Sequence, residues 1–261
     1  MRLRSLKLAG LVAFAGLAAF AAASEAETAQ QGGLRVKFDG QLTPHELPRQ
    51  GTRPVTVRIG GRITTADGSE PPQLRRIEIA INREGRIDRQ GLPACRLEQI
   101  QPSTTQKALA ACRGAKVGEG RFSANVAIPG QAPFPSRGKV IAFNGVEGGR
   151  PVIFAHVYGT DPVPTSYTLP LFIGHAKGTF ATTLSASLPQ VTGQAGFVTG
   201  IQLTLGRSFR AGGRSRSYLL AGCPAPAGFS SAVFPLARTS FGFDGGKTLS
   251  STLIRSCRAR G

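Results

Sequence analysis

Tryptophan is absent from the 261 residues, methionine occurs once, and Tyr and His occur three times each. With so few aromatic rings to expose, the stacking platforms that usually hold sugars are nearly missing. Tyr167, beside Pro162-Val163-Pro164, is the best candidate for such a contact. The 15 Phe read as core. Acidic residues are also scarce, 14 against 32 basic ones. Glycosidase chemistry needs two carboxylates facing each other across a cleft, and Asp67, Asp161 and Asp244 all sit in turn-forming sequence.

Other signatures are missing as well. No GxSxG segment presents a nucleophilic serine, and zincin, EF-hand and P-loop patterns do not occur. Gly118-Glu119-Gly120 lacks the third glycine of a dinucleotide fingerprint and reads as a strand entry. His45, His156 and His175 are the available bases. His156, in the apolar run Ile153–Tyr158 and near Asp161, marks the candidate hydrolytic site. The competing expectation is an inward-facing histidine with a satisfied hydrogen bond. His175, in Gly174-His175-Ala176-Lys177-Gly178, reads as a turn residue.

Long apolar runs are absent after the first residues. Arg2, Arg4 and Lys7 precede the uncharged stretch Leu8–Ala23, and small residues follow at Ala21-Ala22-Ala23 and Ser24-Glu25-Ala26. That layout predicts a secretory signal peptide over residues 1–26, cleaved near Ala23 or Ala26. Its 16 residues are short for a helix crossing a bilayer, which needs about 20. The expectation is a secreted, extracytoplasmic protein with no transmembrane segment in the mature chain.

Without Arg2, Arg4, Lys7 and Glu25, 29 basic and 13 acidic residues remain. A positive excess of that size draws a protein toward anionic matter such as cell-wall phosphate polymers or acidic polysaccharide, by an attraction that salt screens. No recognition module for nucleic acid is present, so nucleic acid is not an expected partner. Arg207, Arg210, Arg214 and Arg216 flank Gly212-Gly213 and form the densest basic cluster. Their guanidinium forks suit phosphate or carboxylate oxygens.

The four cysteines, Cys95, Cys112, Cys223 and Cys257, suit disulfides in an exported chain. Of three pairings, loop closure favours Cys95–Cys112 and Cys223–Cys257, each contributing about 3–4 kcal/mol. No CxxC spacing or nearby His suggests a metal site, and no cofactor is expected.

What is present in quantity is turn chemistry and alternation. Gly (34) and Pro (18) make about a fifth of the chain, below the level that signals disorder. Leu34, Val36 and Phe38 alternate with Arg35, Lys37 and Asp39, and similar patterns recur at 55–59, 77–82 and 121–128. The stretch Lys139–Leu205 contains β-branched and aromatic runs at 139–144, 152–158, 167–173, 180–188 and 197–209. Val146-Glu147-Gly148-Gly149-Arg150 and Asp244-Gly245-Gly246-Lys247 read as hairpin turns. Between Gly91 and Gly118, Pro93–Ile100 and Lys107–Cys112 read as helical, with Ser103-Thr104-Thr105-Gln106 as a capping box.

These patterns predict an all-β fold, an antiparallel sandwich or barrel-like meander with one short disulfide-stapled helical excursion. Residues 27–118 form an N-terminal β segment containing the excursion, and 119–261 a β-meander body, with a single continuous domain the open alternative.

Gly91-Leu92-Pro93-Ala94-Cys95, then Ala111-Cys112, then Val117-Gly118-Glu119-Gly120 resemble a pattern in secreted β-rich bacterial proteins, mainly of GC-rich Gram-positive groups. Those proteins commonly have Pro after the second Cys, where this chain has Arg113. The resemblance spans about Arg75 to the C-terminus and implies no catalytic residue, since that group has no assigned chemistry.

The expected function is therefore that of a non-enzymatic β-domain protein of the cell envelope or medium, binding an anionic polymer through the Arg207–Arg216 hairpin. Two other expectations are an exported hydrolase at His156 and Asp161, and a carrier of lipid or another small apolar ligand.

Overall fold

The computed structural model describes residues 26–127, 130–160, 164–188 and 195–260. The leader and Asp161 lie outside these residues, save Ala26 at the leader's end. Seven strands precede the excursion: β1 (Glu27–Gln31), β2 (Leu34–Thr43), β3 (Glu46–Pro48), β4 (Arg53–Pro54), β5 (Thr56–Thr65), β6 (Leu74–Asn82) and β7 (Gly85–Ile87). Two helices follow, α1 (Leu97–Ile100) and α2 (Thr105–Cys112). Next are β8 (Lys116–Ala127), β9 (Phe134–Glu147), β10 (Arg150–Gly159), β11 (Thr165–His175), β12 (Phe180–Ser187) and β13 (Ala195–Leu205). The chain ends with β14 (Ser208–Ala211), β15 (Arg214–Ser217), β16 (Leu219–Ala221), β17 (Ser231–Phe243) and β18 (Thr248–Arg260).

Thirteen strands make one curled sheet in the order β1-β2-β5-β13-β8-β9-β10-β11-β12-β6-β17-β18-β3. It is antiparallel throughout except where β3 joins β18. Of the two arrangements expected, the curled sheet is the one observed. The Gly148-Gly149 turn, with φ of 53° and 75°, lets β9 reverse directly into β10 with Glu147 opposite Arg150. Positive φ at two consecutive positions is the geometry that such a two-residue turn requires.

Elsewhere, sequence neighbours are not sheet neighbours. The two alternating strands β5 and β6 share the sheet without touching: β5 lies between β2 and β13, and β6 between β12 and β17. Strands from before and after the excursion are thus interleaved. The inward faces bring together Val36, Phe38, Val140, Ile153, Leu184, Leu203, Phe241 and Leu253 in one core. The sheet curls far enough for its ends to meet, where Arg255 of β18 donates from Nε to the Gly40 carbonyl of β2 at 2.7 Å.

The helical excursion covers the outer face of β9 and β10, where Ile141, Phe143, Val152 and Phe154 pack against Ile100, Ala108 and Cys112. The disulfide Cys95–Cys112 closes it, with Cα atoms 5.8 Å apart. Backbone bonds between Cys95 and Asn144 and between Val146 and Cys95 pin its start to β9. Thr104 rather than Ser103 caps α2, its Oγ1 accepting from Lys107 N at 3.3 Å. Ser103 instead donates its hydroxyl to the Ile100 carbonyl. A second disulfide, Cys223–Cys257, joins the loop after β16 to β18.

Candidate anion-binding groove

Cross-strand register determines which outward side chains stand together. Across one row, Lys37 of β2 is opposite Arg62 of β5, Arg62 opposite Gly200 of β13, Gly200 opposite Ser123 of β8, and Ser123 opposite Arg137 of β9. In the next row Asp39 is opposite Gly60, Gly60 opposite Gln202, Gln202 opposite Arg121, and Arg121 opposite Lys139. All five cations are exposed. They line a groove of about 1180 Å³ that runs over β13.

The concavity follows from residue size. Long basic chains rise on β2, β5, β8 and β9, while outward positions 60 and 200 have no side chain. The Asp39 carboxylate occupies the space a Cβ at position 60 would take, and the Ser123 hydroxyl does the same over Gly200. Ser123 also accepts a hydrogen bond from the Thr199 hydroxyl at 3.1 Å.

Like charges directly opposite each other on paired strands destabilise a sheet. Here Lys37 faces Arg62 and Arg121 faces Lys139. Among the described residues none of Lys37, Arg62, Arg121, Arg137 and Lys139 has a side-chain hydrogen bond or a carboxylate at ion-pair distance. The nearby acid Glu119 is already held by Lys116 at 2.8 Å. That bond, with a further contribution from Lys139, keeps the Glu119 carboxyl below its ordinary range.

The expected hairpin is built, but its arginines are divided in role. Arg207 donates from Nη1 to the carbonyls of Gly114 and Lys116 at 2.7 and 2.8 Å, fastening the end of the helical excursion. Arg216 is paired with Asp88 at 3.2 Å. Arg210 and Arg214 are exposed near the tip, where Gly212 and Gly213 have φ of 56° and 73°. The four therefore do not converge on one free surface. Tyr167 lies opposite Val157, on the core-facing side of β11, and is half-buried, which pushes its hydroxyl pKa upward.

His156 is fully buried between Ile141 and Thr168 on the neighbouring strands. Its Nδ1 is 3.3 Å from Thr168 Oγ1, and its Nε2 has no partner among the described residues. Gln101 and Ser103 of the excursion reach over to Thr168 and Ser166 beside it. His175 is the exposed last residue of β11, and His45 is exposed beyond β2. Among the described residues no group of three His, Cys, Asp or Glu could hold a metal ion.

Inside the sheet, an aliphatic cavity lined by Ile59, Ile79, Ile153, Leu184 and Leu236 measures about 90 Å³. That is smaller than the roughly 150 Å³ that accommodates one benzene. Among the described residues no helix is long and apolar enough to cross a membrane. No family model matches the chain, and no curated protein or solved structure does either.

Proposed function

We propose that this is an exported, non-enzymatic β-domain protein that binds an anionic polymer of the cell envelope or its surroundings. The observation that carries the reading is the groove over β13, lined by five exposed cations, four of them in the directly opposed like-charged pairs Lys37–Arg62 and Arg121–Lys139. Such repulsion lowers the stability of the free protein and is relieved when an anion enters. Two disulfides and a mature chain of strongly positive charge support an extracytoplasmic setting. The resemblance to secreted bacterial proteins belongs to the same reading.

The test is retention of purified mature protein on isolated cell wall at low and high salt. Wild type is retained at low salt and released at high salt. The double variant Arg121→Gln/Lys139→Gln loses retention, whereas Arg210→Gln/Arg214→Gln keeps it. No retention of wild type at any salt concentration would remove the reading.

A further inference from the structure

The groove has a direction and an end. It follows β13, whose outward residues Gly200, Gln202 and Thr204 carry no charge. The flanking strands β5 and β8 are two strand spacings apart, about 10 Å at about 4.8 Å each. Arg62 on one side and Arg121 on the other border this uncharged floor, with the Asp39 carboxylate over Gly60 beside Gln202 and Glu119 opposite Thr204 as the acids next to it. Gln202 and Thr204 offer an amide and a hydroxyl, which both donate and accept hydrogen bonds.

At one end, Asn125 of β8 donates from Nδ2 to both carboxylate oxygens of Glu70, at 2.9 and 3.1 Å. Glu70 belongs to the turn after β5, and Asn125 is opposite Phe197 of β13. The pair thus bridges from the β5 side to β8 over β13 and places a negative charge across the groove. At the other end the groove continues into a depression of about 570 Å³ that adds Arg58. Arg58 is opposite Thr204. From Phe197 to Thr204 the floor is about 23 Å long at about 3.3 Å per residue.

We infer that the groove holds one extended, unbranched chain of hydroxylated units, each bearing a single anionic group, laid along β13 and stopped by Glu70. The inference rests on the reading above and goes further in fixing a single-file geometry and a finite length. Isolated small anions gain little here, because no cation pair converges on one point with a built hydrogen-bond shell.

The test titrates mature protein with two length series, oligo(glycerol phosphate) and oligogalacturonate, with inorganic phosphate as the small-anion control. Affinity rises with length and levels off once a chain spans about 23 Å, and inorganic phosphate binds at least a hundredfold more weakly. With six cations engaged, counting Arg58, the slope of log affinity against log salt is about −4, at about −0.7 per contact for a single strand. Arg121→Gln and Lys139→Gln, both exposed positions, each reduce that slope by about 0.7. Glu70→Gln keeps one of the two bonds from Asn125, removes the charge at the end, and tightens binding of chains longer than the groove several-fold.

The tighter series identifies the anionic group as phosphate or carboxylate. Binding that grows with length without levelling, or a salt slope unchanged in both cation variants, overturns the single-file geometry while leaving polyanion binding intact. Failure of both series to bind at low salt overturns that broader reading as well.

Discussion

Arg255 of β18 donates from Nε to the carbonyl of Gly40 on β2, across 2.7 Å and 215 residues of sequence. β2 and β18 are not ladder partners: β18 pairs with β17 and β3, and β2 with β1 and β5. The bond therefore fastens the two ends of the curled sheet where the main-chain ladder does not. Its neighbour Leu253 fits there because residue 40 is glycine, since a Cβ would lie 2.7 Å from Leu253 Cδ2. The Arg255 side chain is 14% exposed, with Glu27 Oε1 3.9 Å away. Burial lowers its pKa, and Glu27 and Asp39 oppose that shift.

Replacing Arg255 with Ala should lower stability by about 2 kcal/mol, the scale of a hydrogen bond from a charged group. At this chain length that corresponds to a melting temperature about 4–8 °C lower. Thermal unfolding followed by circular dichroism measures it. An unchanged melting temperature would show that the seam closes without this contact.

The two disulfides should differ in reach. By chain entropy, the Cys223–Cys257 pair, 34 residues apart, contributes about 4 kcal/mol, and the Cys95–Cys112 pair, 17 apart, about 3 kcal/mol. The first ties the last strand to the main core; the second staples an excursion with its own small cluster. Cys223→Ser/Cys257→Ser should lower the global melting temperature more. Cys95→Ser/Cys112→Ser should mainly speed amide exchange within residues 97–115. Equal global losses would contradict this division.

Stability should fall on mild acidification. Burial pushes the His156 pKa below its ordinary value, so the folded protein keeps the ring neutral. Below about pH 6.5 the unfolded chain takes up a proton there that the folded chain refuses. The stability present above that pH is lost as pH falls toward the lowered folded value. Urea midpoints at pH 7.5 and 5.5 should therefore differ for wild type and converge for His156→Gln and His156→Asn. Lys116-bound Glu119 acts in a separate, more acidic window.

The hairpin arginines should separate by role. Arg207→Ala removes the donor to the carbonyls of Gly114 and Lys116, and a loss of about 1–3 kcal/mol is expected. Arg210→Ala and Arg214→Ala, at exposed positions, should stay within about 0.5 kcal/mol of wild type. Chemical denaturation of the three variants checks the ranking. A destabilised Arg214→Ala would place that side chain in a contact the hairpin does not show.

Several features were legible from local chemistry. The alternation over Leu34–Leu42 marks β2 because a period of two puts one face in the core. Gly148-Gly149 and Gly245-Gly246 mark hairpins because only glycine enters positive φ freely. The nearest-neighbour disulfides followed from loop closure. The run 197–209, by contrast, is broken at Gly206, where β13 ends at Leu205 and the chain turns toward β14. Alternation alone carries no mark of such a break.

The groove was not legible, although its residues were in plain view. Arg121 opens an alternating strand pattern, Gly200 sits inside the strand run 197–209, and nothing local to Gly60 or Arg62 marks either of them. Arg207 and Arg216 drew attention instead because they crowd together in sequence, yet each is used to hold the chain to itself.

Strand class, turns, disulfide pairs and the positive excess are all set locally, since each depends on residues within hydrogen-bonding or loop-closing reach along the chain. That β13 returns to lie between β5 and β8 emerges only when the whole sheet assembles. Strand order is set by which apolar faces bury together, and that long-range choice places Arg62, Arg121, Arg137 and Lys139 around one glycine floor.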